Sequence, residues 1–183
     1  MEYGEVIYML GLKWAQLRFV ENEGMAFGIS LGENYGKLAL SIFRIIAVFF
    51  LIYIIRSLIR SKEAFGLIAC FGLILAGAIG NILDSAFYGL LFSDSYGSIA
   101  QFRPEDGGYA GFLFGRVVDM FYFPIIRTKF PEWFPLIGGR NFEFFRPIFN
   151  VADSAITVGV TLILLFYRRI FISANKVTES TSK

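Results

Sequence analysis

Two aspartates in this chain stand in company where aspartates are rare. Asp119 lies in Gly115-Arg-Val-Val-Asp-Met-Phe-Tyr-Phe123, a β-branched and aromatic run, and Asp153 lies one turn inside the apolar stretch that starts at Phe149. A charged side chain at membrane depth costs on the order of 2.5–3.5 kcal/mol on the insertion scale, and intramembrane ionisable residues mark functional sites. Two carboxylates a few ångströms apart cannot both ionise readily, so one keeps a proton while the other can take one from water. That is the chemistry of an aspartic peptidase. One carboxylate activates a water for attack on a peptide carbonyl; the other hydrogen-bonds the developing oxyanion and then protonates the leaving amine. Aspartates within membranes also relay protons in transporters, so a small proton-coupled transporter or channel subunit using Asp153 is the alternative reading of the same residues.

The polar residues around them fall at helical spacings. Asn150, Asp153, Ser154 and Thr157 sit at i, i+3, i+4 and i+7, one stripe on a helix, and Asn81 and Asp84 share a face in the same way. The chain has no histidine and one cysteine, Cys70, which removes Ser-His-Asp, Cys-His and His-ligated zinc chemistry together with any disulfide within the chain. Its carboxylates are too few, and too apolar in setting, for a cation site of about six oxygen ligands. No metal and no cofactor are expected. A net charge of +2, from 17 basic and 15 acidic residues, is too small and too dispersed to imply nucleic acid as a partner.

Positioning these residues requires a membrane fold. Hydrophobic residues make up 56% of the chain, above the ~45–50% of soluble domains. Residues 38–55, 65–83 and 149–167 read as three transmembrane helices, each near the ~20 residues a bilayer requires. Arg56, Arg60 and Lys62 mark a cytoplasmic loop, and Arg168 and Arg169 place the C-terminal end on the same side. Asn81, Asp84 and the start of the third span then lie outside. Gly72, Ala76 and Gly80 repeat at i+4, the spacing that lets a second helix approach closely. The outer segment 86–147 carries turn signals at Pro104-Glu-Asp-Gly-Gly108 and Gly138-Gly139, so it is expected to be a folded cap or a pair of hairpins. Ten aromatic residues between Phe121 and Phe149 suit either a headgroup belt or a platform for an acylated substrate. Near the N-terminus, residues 17–20 alternate as a short strand, Gly24 and Gly28 suggest a backbone folding back, and residues 174–183 read as a disordered cytoplasmic tail. The expected fold is an all-α membrane bundle with a small extracytoplasmic β/loop cap, in a single domain over residues 1–173 of a monomer.

Four blocks together resemble a known family. Asn22-Glu-Gly-Met-Ala-Phe-Gly28, Gly77-Ala-Ile-Gly-Asn-Ile-Leu-Asp84, Val117-Val-Asp-Met120 and Phe149-Asn-Val-Ala-Asp-Ser-Ala-Ile156 are similar, in order, to the motifs of the lipoprotein signal peptidases (signal peptidase II), aspartic proteases of the bacterial inner membrane. The resemblance implies that Asp119 and Asp153 are the catalytic pair and that Asn22, Asn81 and Asn150 line the site; Asp84 is expected to be a supporting or capping group at the outer end of its helix. It implies a multi-pass inner-membrane enzyme whose active site faces outward. Its partners would be membrane lipid and a diacylglyceryl-modified prolipoprotein, cut on the N-terminal side of the lipidated cysteine. Two departures stand out. Ser85 occupies a position where the family usually has arginine, and Arg116 is the candidate to supply a cation instead. The family's first span, which bears Asp and Lys, has no counterpart here; with residues 1–35 expected outside, a preceding span is expected as well. The donor inventory also yields a first prediction. Cleavage should be unaffected by EDTA, and activity that vanished with chelator and returned with a divalent cation would overturn the metal-free reading.

Overall fold

The β-branched and aromatic residues around Asp119 form strands in the computed structural model, which describes residues 3–22 and 35–167. Strands β1 (Val6–Tyr8), β2 (Gln16–Asn22), β3 (Val117–Tyr122) and β6 (Ile148–Phe149) make one antiparallel sheet in the order β1-β2-β3-β6. The alternation at residues 17–20 thus belongs to a longer strand. Between them in sequence, β4 (Ile126–Lys129) and β5 (Asn141–Phe144) pair separately as a hairpin. Helix α1 spans Tyr35–Arg60, α2 spans Phe65–Leu91, and α3 spans Val151–Leu162 and continues as a π-helical turn over Ile163–Tyr167. The chain divides into two units: Met1–Lys37 with Asp84–Asn150, and Leu38–Leu83 with Val151–Lys183.

In the first unit, the pairing of β2 with β3 contains a β-bulge. Leu17 pairs with Phe121 but Val20 pairs with Asp119, so β2 advances three residues while β3 advances two. Because side chains alternate between faces, a one-residue offset reverses every side chain beyond it. Without the bulge Asp119 would pair with Phe19, and Asn22 would point to the opposite face from Asp119. With it, Asn22 pairs with Val117 and shares the face of Asp119. The segment after α2 is a folded cap, as its turn residues imply. It returns along the end of α2 through Ala110 N–H to Gly89 O (2.9 Å), Tyr109 N–H to Phe92 O (3.0 Å) and Gly115 N–H to Ser85 O (2.8 Å).

Two expectations about the helices require correction. Helix α2 runs to Leu91 instead of ending near residue 83; nothing in Ser85-Ala-Phe-Tyr88 breaks a helix, and Gly89 alone is tolerated. Asp84 is therefore inside the helix, not a capping group at its outer end. Both α1 and α2 are long and apolar enough to cross a membrane. The third segment starts later than expected, because Ile148 and Phe149 pair with β3, and its described part, Val151–Tyr167, is shorter than those two. The fold-back expected at Gly24 and Gly28 and the tail at 174–183 lie outside the described residues.

In the second unit, α3 packs on α2 most tightly at glycines outside the expected row, of whose glycines Gly80 alone meets α3. A Cβ added to Gly72 would meet nothing within 4 Å, whereas one on Gly77 would collide with the Ala152 carbonyl oxygen and lie 2.7 Å from Ile156 Cγ1. A Cβ on Gly159 would lie 2.7 Å from the Cys70 carbonyl oxygen. Deeper along the same pair, Leu67, Cys70 and Ile163 form a buried cluster flanked by Phe71, Ile74 and Tyr167. Overpacking of this kind costs ~1–3 kcal/mol. Gly77→Ala should therefore lower the Tm of the detergent-solubilised protein and reduce its activity, while Gly72→Ala should leave both near the parent. Equal effects of the two substitutions would remove the packing role assigned to Gly77.

Candidate active site

Asp119 is held by amides. Its side chain belongs to a residue only 4% exposed, and the sheet brings a donor to each oxygen: Asn22 Nδ2 donates to Oδ2 at 3.0 Å and Asn150 Nδ2 donates to Oδ1 at 3.0 Å. Asn22 arrives by the bulged register of β2. Asn150 arrives because β6 pairs with β3 through Phe149 and Phe121, which ends the strand next to Asp119. Asn150 is itself buried.

Asp153 is held in a similar way within the second unit. It is the third residue of α3, and Asn81 Nδ2 of α2 donates to its Oδ1 at 3.1 Å. The close approach of α2 and α3 at Gly77 and at Gly80, where a Cβ would lie 3.3 Å from Ala152 Cβ, brings that amide within reach. The first turn of α3 adds the positive end of the helix dipole, which favours a carboxylate there. Asp84, three residues after Asn81, is half-buried on α2. The structure thus gathers Asn22 and Asn150 on Asp119, and Asn81 on Asp153.

Arg116 is placed differently from the expectation. Its Nη1 donates to Glu21 Oε2 at 2.6 Å and to Asp94 Oδ1 at 3.1 Å, and its guanidinium lies over the rings of Tyr96 (4.8 Å) and Tyr109 (4.7 Å). Glu21 precedes Asn22 on a strand, so the two side chains point to opposite faces. Arg116 is on the Glu21 face, away from Asp119. A cavity of about 230 Å3 opens on that side too, lined by Phe19, Glu21, Tyr88, Phe92, Tyr109 and Val118 among others. Burial works against the charge of Arg116, but the hydrogen bonds it donates to Glu21 and then to Asp94 outweigh it and hold the guanidinium above its ordinary range. Burial likewise pushes the carboxyl of Asp94 up, and it is overcome by the Tyr96 N–H and then Arg116, which leave Asp94 below the usual carboxylate range. Sequence reading missed Glu21, Asp94, Tyr96 and Tyr109. The only signal was the acidic Glu21 in an apolar strand, and its partner lies 95 residues away.

Comparison with known proteins converges on one family. A family model described as Signal peptidase (SPase) II matches residues 1–169. A lipoprotein signal peptidase of Porphyromonas gingivalis is 54% identical over 157 residues, which is 85% of this chain and 68% of that protein. One of Amoebophilus asiaticus is 38% identical over 161 residues, 87% of this chain and 63% of that protein. Among solved structures, a bacterial membrane enzyme determined by the in meso method at 2.3 Å shares the fold with a TM-score of 0.58 and 22% identity, over 92% of this chain and 74% of the other.

The clasp around Arg116 generates a second structural test. Arg116→Ala leaves Glu21, whose side chain is 5% exposed, as an uncompensated buried charge, a change that costs ~3–5 kcal/mol. The Tm should fall accordingly, and Arg116→Lys should restore it only in part, since a compact ammonium can bond the carboxylates but lacks the planar guanidinium that lies over both rings. Asp94 titrates lower in the folded chain than in the unfolded one, so its contribution is complete above its unfolded value and is lost as pH falls through the lower folded value. Proteolysis within residues 92–115 should therefore speed up at pH below ~4. A lysine variant as stable as the parent would refute the clasp.

Proposed function

We propose, from the premise that this chain belongs to the signal peptidase II family and removes signal peptides from prolipoproteins, that it cuts as an aspartic peptidase with Asp119 and Asp153 as its carboxylate pair. The observation that carries this reading is the buried Asp119 with an amide donor on each oxygen, one of them from Asn150. Neutral amides favour an ionised carboxylate without replacing the proton that catalysis must move.

In this mechanism one member of the pair takes a proton from water as the water attacks the scissile carbonyl. The other, protonated, hydrogen-bonds the carbonyl oxygen as it becomes an oxyanion and then delivers its proton to the departing amine. The proton taken from water returns the pair to its single-proton state. Asn22, Asn81 and Asn150 orient the carboxylates, with Asp84 as a supporting group. The substrate proposed is a prolipoprotein whose cysteine carries a diacylglyceryl group, with the bond on its N-terminal side cut. The acyl chains would hold that bond at the membrane surface. Arg56, Arg60 and Lys62 favour a cytoplasmic loop between α1 and α2, which puts Asn81 and its neighbours on the extracytoplasmic side of a multi-pass inner-membrane protein. The transporter reading gains nothing from the relatives found, which are peptidases by name.

Incubation of the purified protein with a lipidated prolipoprotein, read by gel shift, tests the reading. Asp119→Asn and Asp153→Asn should each slow cleavage by about 10²–10⁴-fold, the share general acid–base catalysis contributes, with circular dichroism and Tm retained. Asp84→Asn should be milder. A residue whose variant stays within tenfold of the parent would lose its catalytic assignment.

A further inference from the structure

The β4-β5 hairpin takes no part in the chemistry above, yet with Leu10 it carries the three most exposed large apolar residues described in the first unit. Its connection, residues 130–140, presents Trp133 at 79% exposure and Leu136 at 95%, with Phe134 beside them at 40%. We propose that this hairpin is a lipid-binding element whose tip inserts among the headgroups of an anionic bilayer surface.

The tip is built, not slack. Phe134 N–H donates to Pro131 O, Gly138 N–H to Phe134 O, Gly139 N–H to Phe130 O and Arg140 N–H to Ile137 O, at 3.0–3.1 Å. Rings of Phe130 and Phe134 meet at 5.5 Å and those of Trp133 and Phe134 at 5.7 Å. Leu136 has φ of 68°, a left-handed conformation in which glycine or asparagine would be less strained. A leucine held there, almost wholly exposed, contributes nothing to packing within the chain. Directly behind the tip, Lys129 and Arg140 flank the neck of the hairpin, where Lys129 pairs with Asn141. From residue 126 to 146 four basic residues (Arg127, Lys129, Arg140, Arg146) outnumber two acidic ones (Glu132, Glu143). An apolar, tryptophan-bearing tip with a basic collar matches the two layers of an anionic membrane surface, acyl boundary and phosphates. Glu132 in the tip limits the depth to the headgroup region. Pro131 and Pro135 remove N–H donors, so the tip does not offer a strand edge to a protein partner.

The test does not depend on cleavage. The chain has two tryptophans, Trp14 and Trp133, so the full-length Trp14→Phe variant reports on Trp133 alone, and Trp133→Phe provides the reference for Trp14. Each is reconstituted into liposomes of phosphatidylethanolamine and phosphatidylglycerol. Trp133 emission should shift to shorter wavelength than in detergent-free denaturant, be quenched by lipids brominated on the acyl chain near the headgroup, and resist iodide in the water. Lys129→Glu combined with Arg140→Glu should open Trp133 to iodide in these liposomes, and should change it less in neutral phosphatidylcholine. Trp133 quenched by iodide and untouched by bromolipid would overturn the proposal. Shielding that appears only when a second protein is added would overturn it too, by assigning the tip to a protein partner.

Discussion

The carboxylate of Asp119, 4% exposed in an apolar sheet, sets the condition that the first unit has to meet. An ion removed from water costs several kcal/mol in a relaxed protein, and each hydrogen bond to a charged group returns ~1.5–3 kcal/mol. Amide donors on both oxygens, from Asn22 and Asn150, therefore offset a penalty of the same order. One donor alone would leave an oxygen with a large part of that penalty. This explains why two strands on either side of β3 each deliver an asparagine to the same side chain.

Delivering them constrains the sheet more than pairing does. β2 reaches Asp119 only through the bulge between Leu17 and Val20, since a regular ladder would turn Asn22 to the other face. The same parity separates two kinds of polar residue on neighbouring positions. Asn22 and Asp119 share one face with neutral donors, while Glu21, Arg116 and Asp94 form an ionic clasp on the other. A guanidinium beside Asp119 would lock it as an ion and resist the proton cycling that peptide hydrolysis requires; on the Glu21 face its charge can hold the 92–115 cap to the sheet without that effect.

How much of this is legible in the sequence follows the range of each interaction. Apolar runs mark α1 and α2, alternation marks β2, and turn residues mark the cap, because all three signals are local. The asparagines are legible only as motif positions: nothing in Asn22 itself says that it meets a residue 97 positions later. Arg116 misleads for the same reason, as proximity in sequence to Asp119 suggests a shared site and strand alternation denies it. The row at Gly72, Ala76 and Gly80 has the right spacing, yet of its glycines only Gly80 meets α3, and the tightest approaches fall on Gly77 and Gly159. Spacing identifies a face that permits contact, and the partner helix selects which residues use it. Hydropathy sets the end of α2 too early because it fades at Asp84 while helix propensity does not.

Asn150 shows how few residue types satisfy the demands on one position. It closes β6, it directly precedes α3, and its amide donates to Asp119. The residues favoured at the start of a helix are Asn, Asp, Ser and Thr. Aspartate at this position would set a second negative charge against Asp119 in a buried setting. Serine and threonine can donate a hydrogen bond, but their hydroxyl is one bond closer to the main chain than the asparagine amide and would fall short of a carboxylate 3.0 Å from Nδ2. Asparagine alone combines the reach, the neutral donor and the tolerance for a strand-to-helix junction of a single residue. Its identity follows from the carboxylate it serves as much as from the helix it precedes.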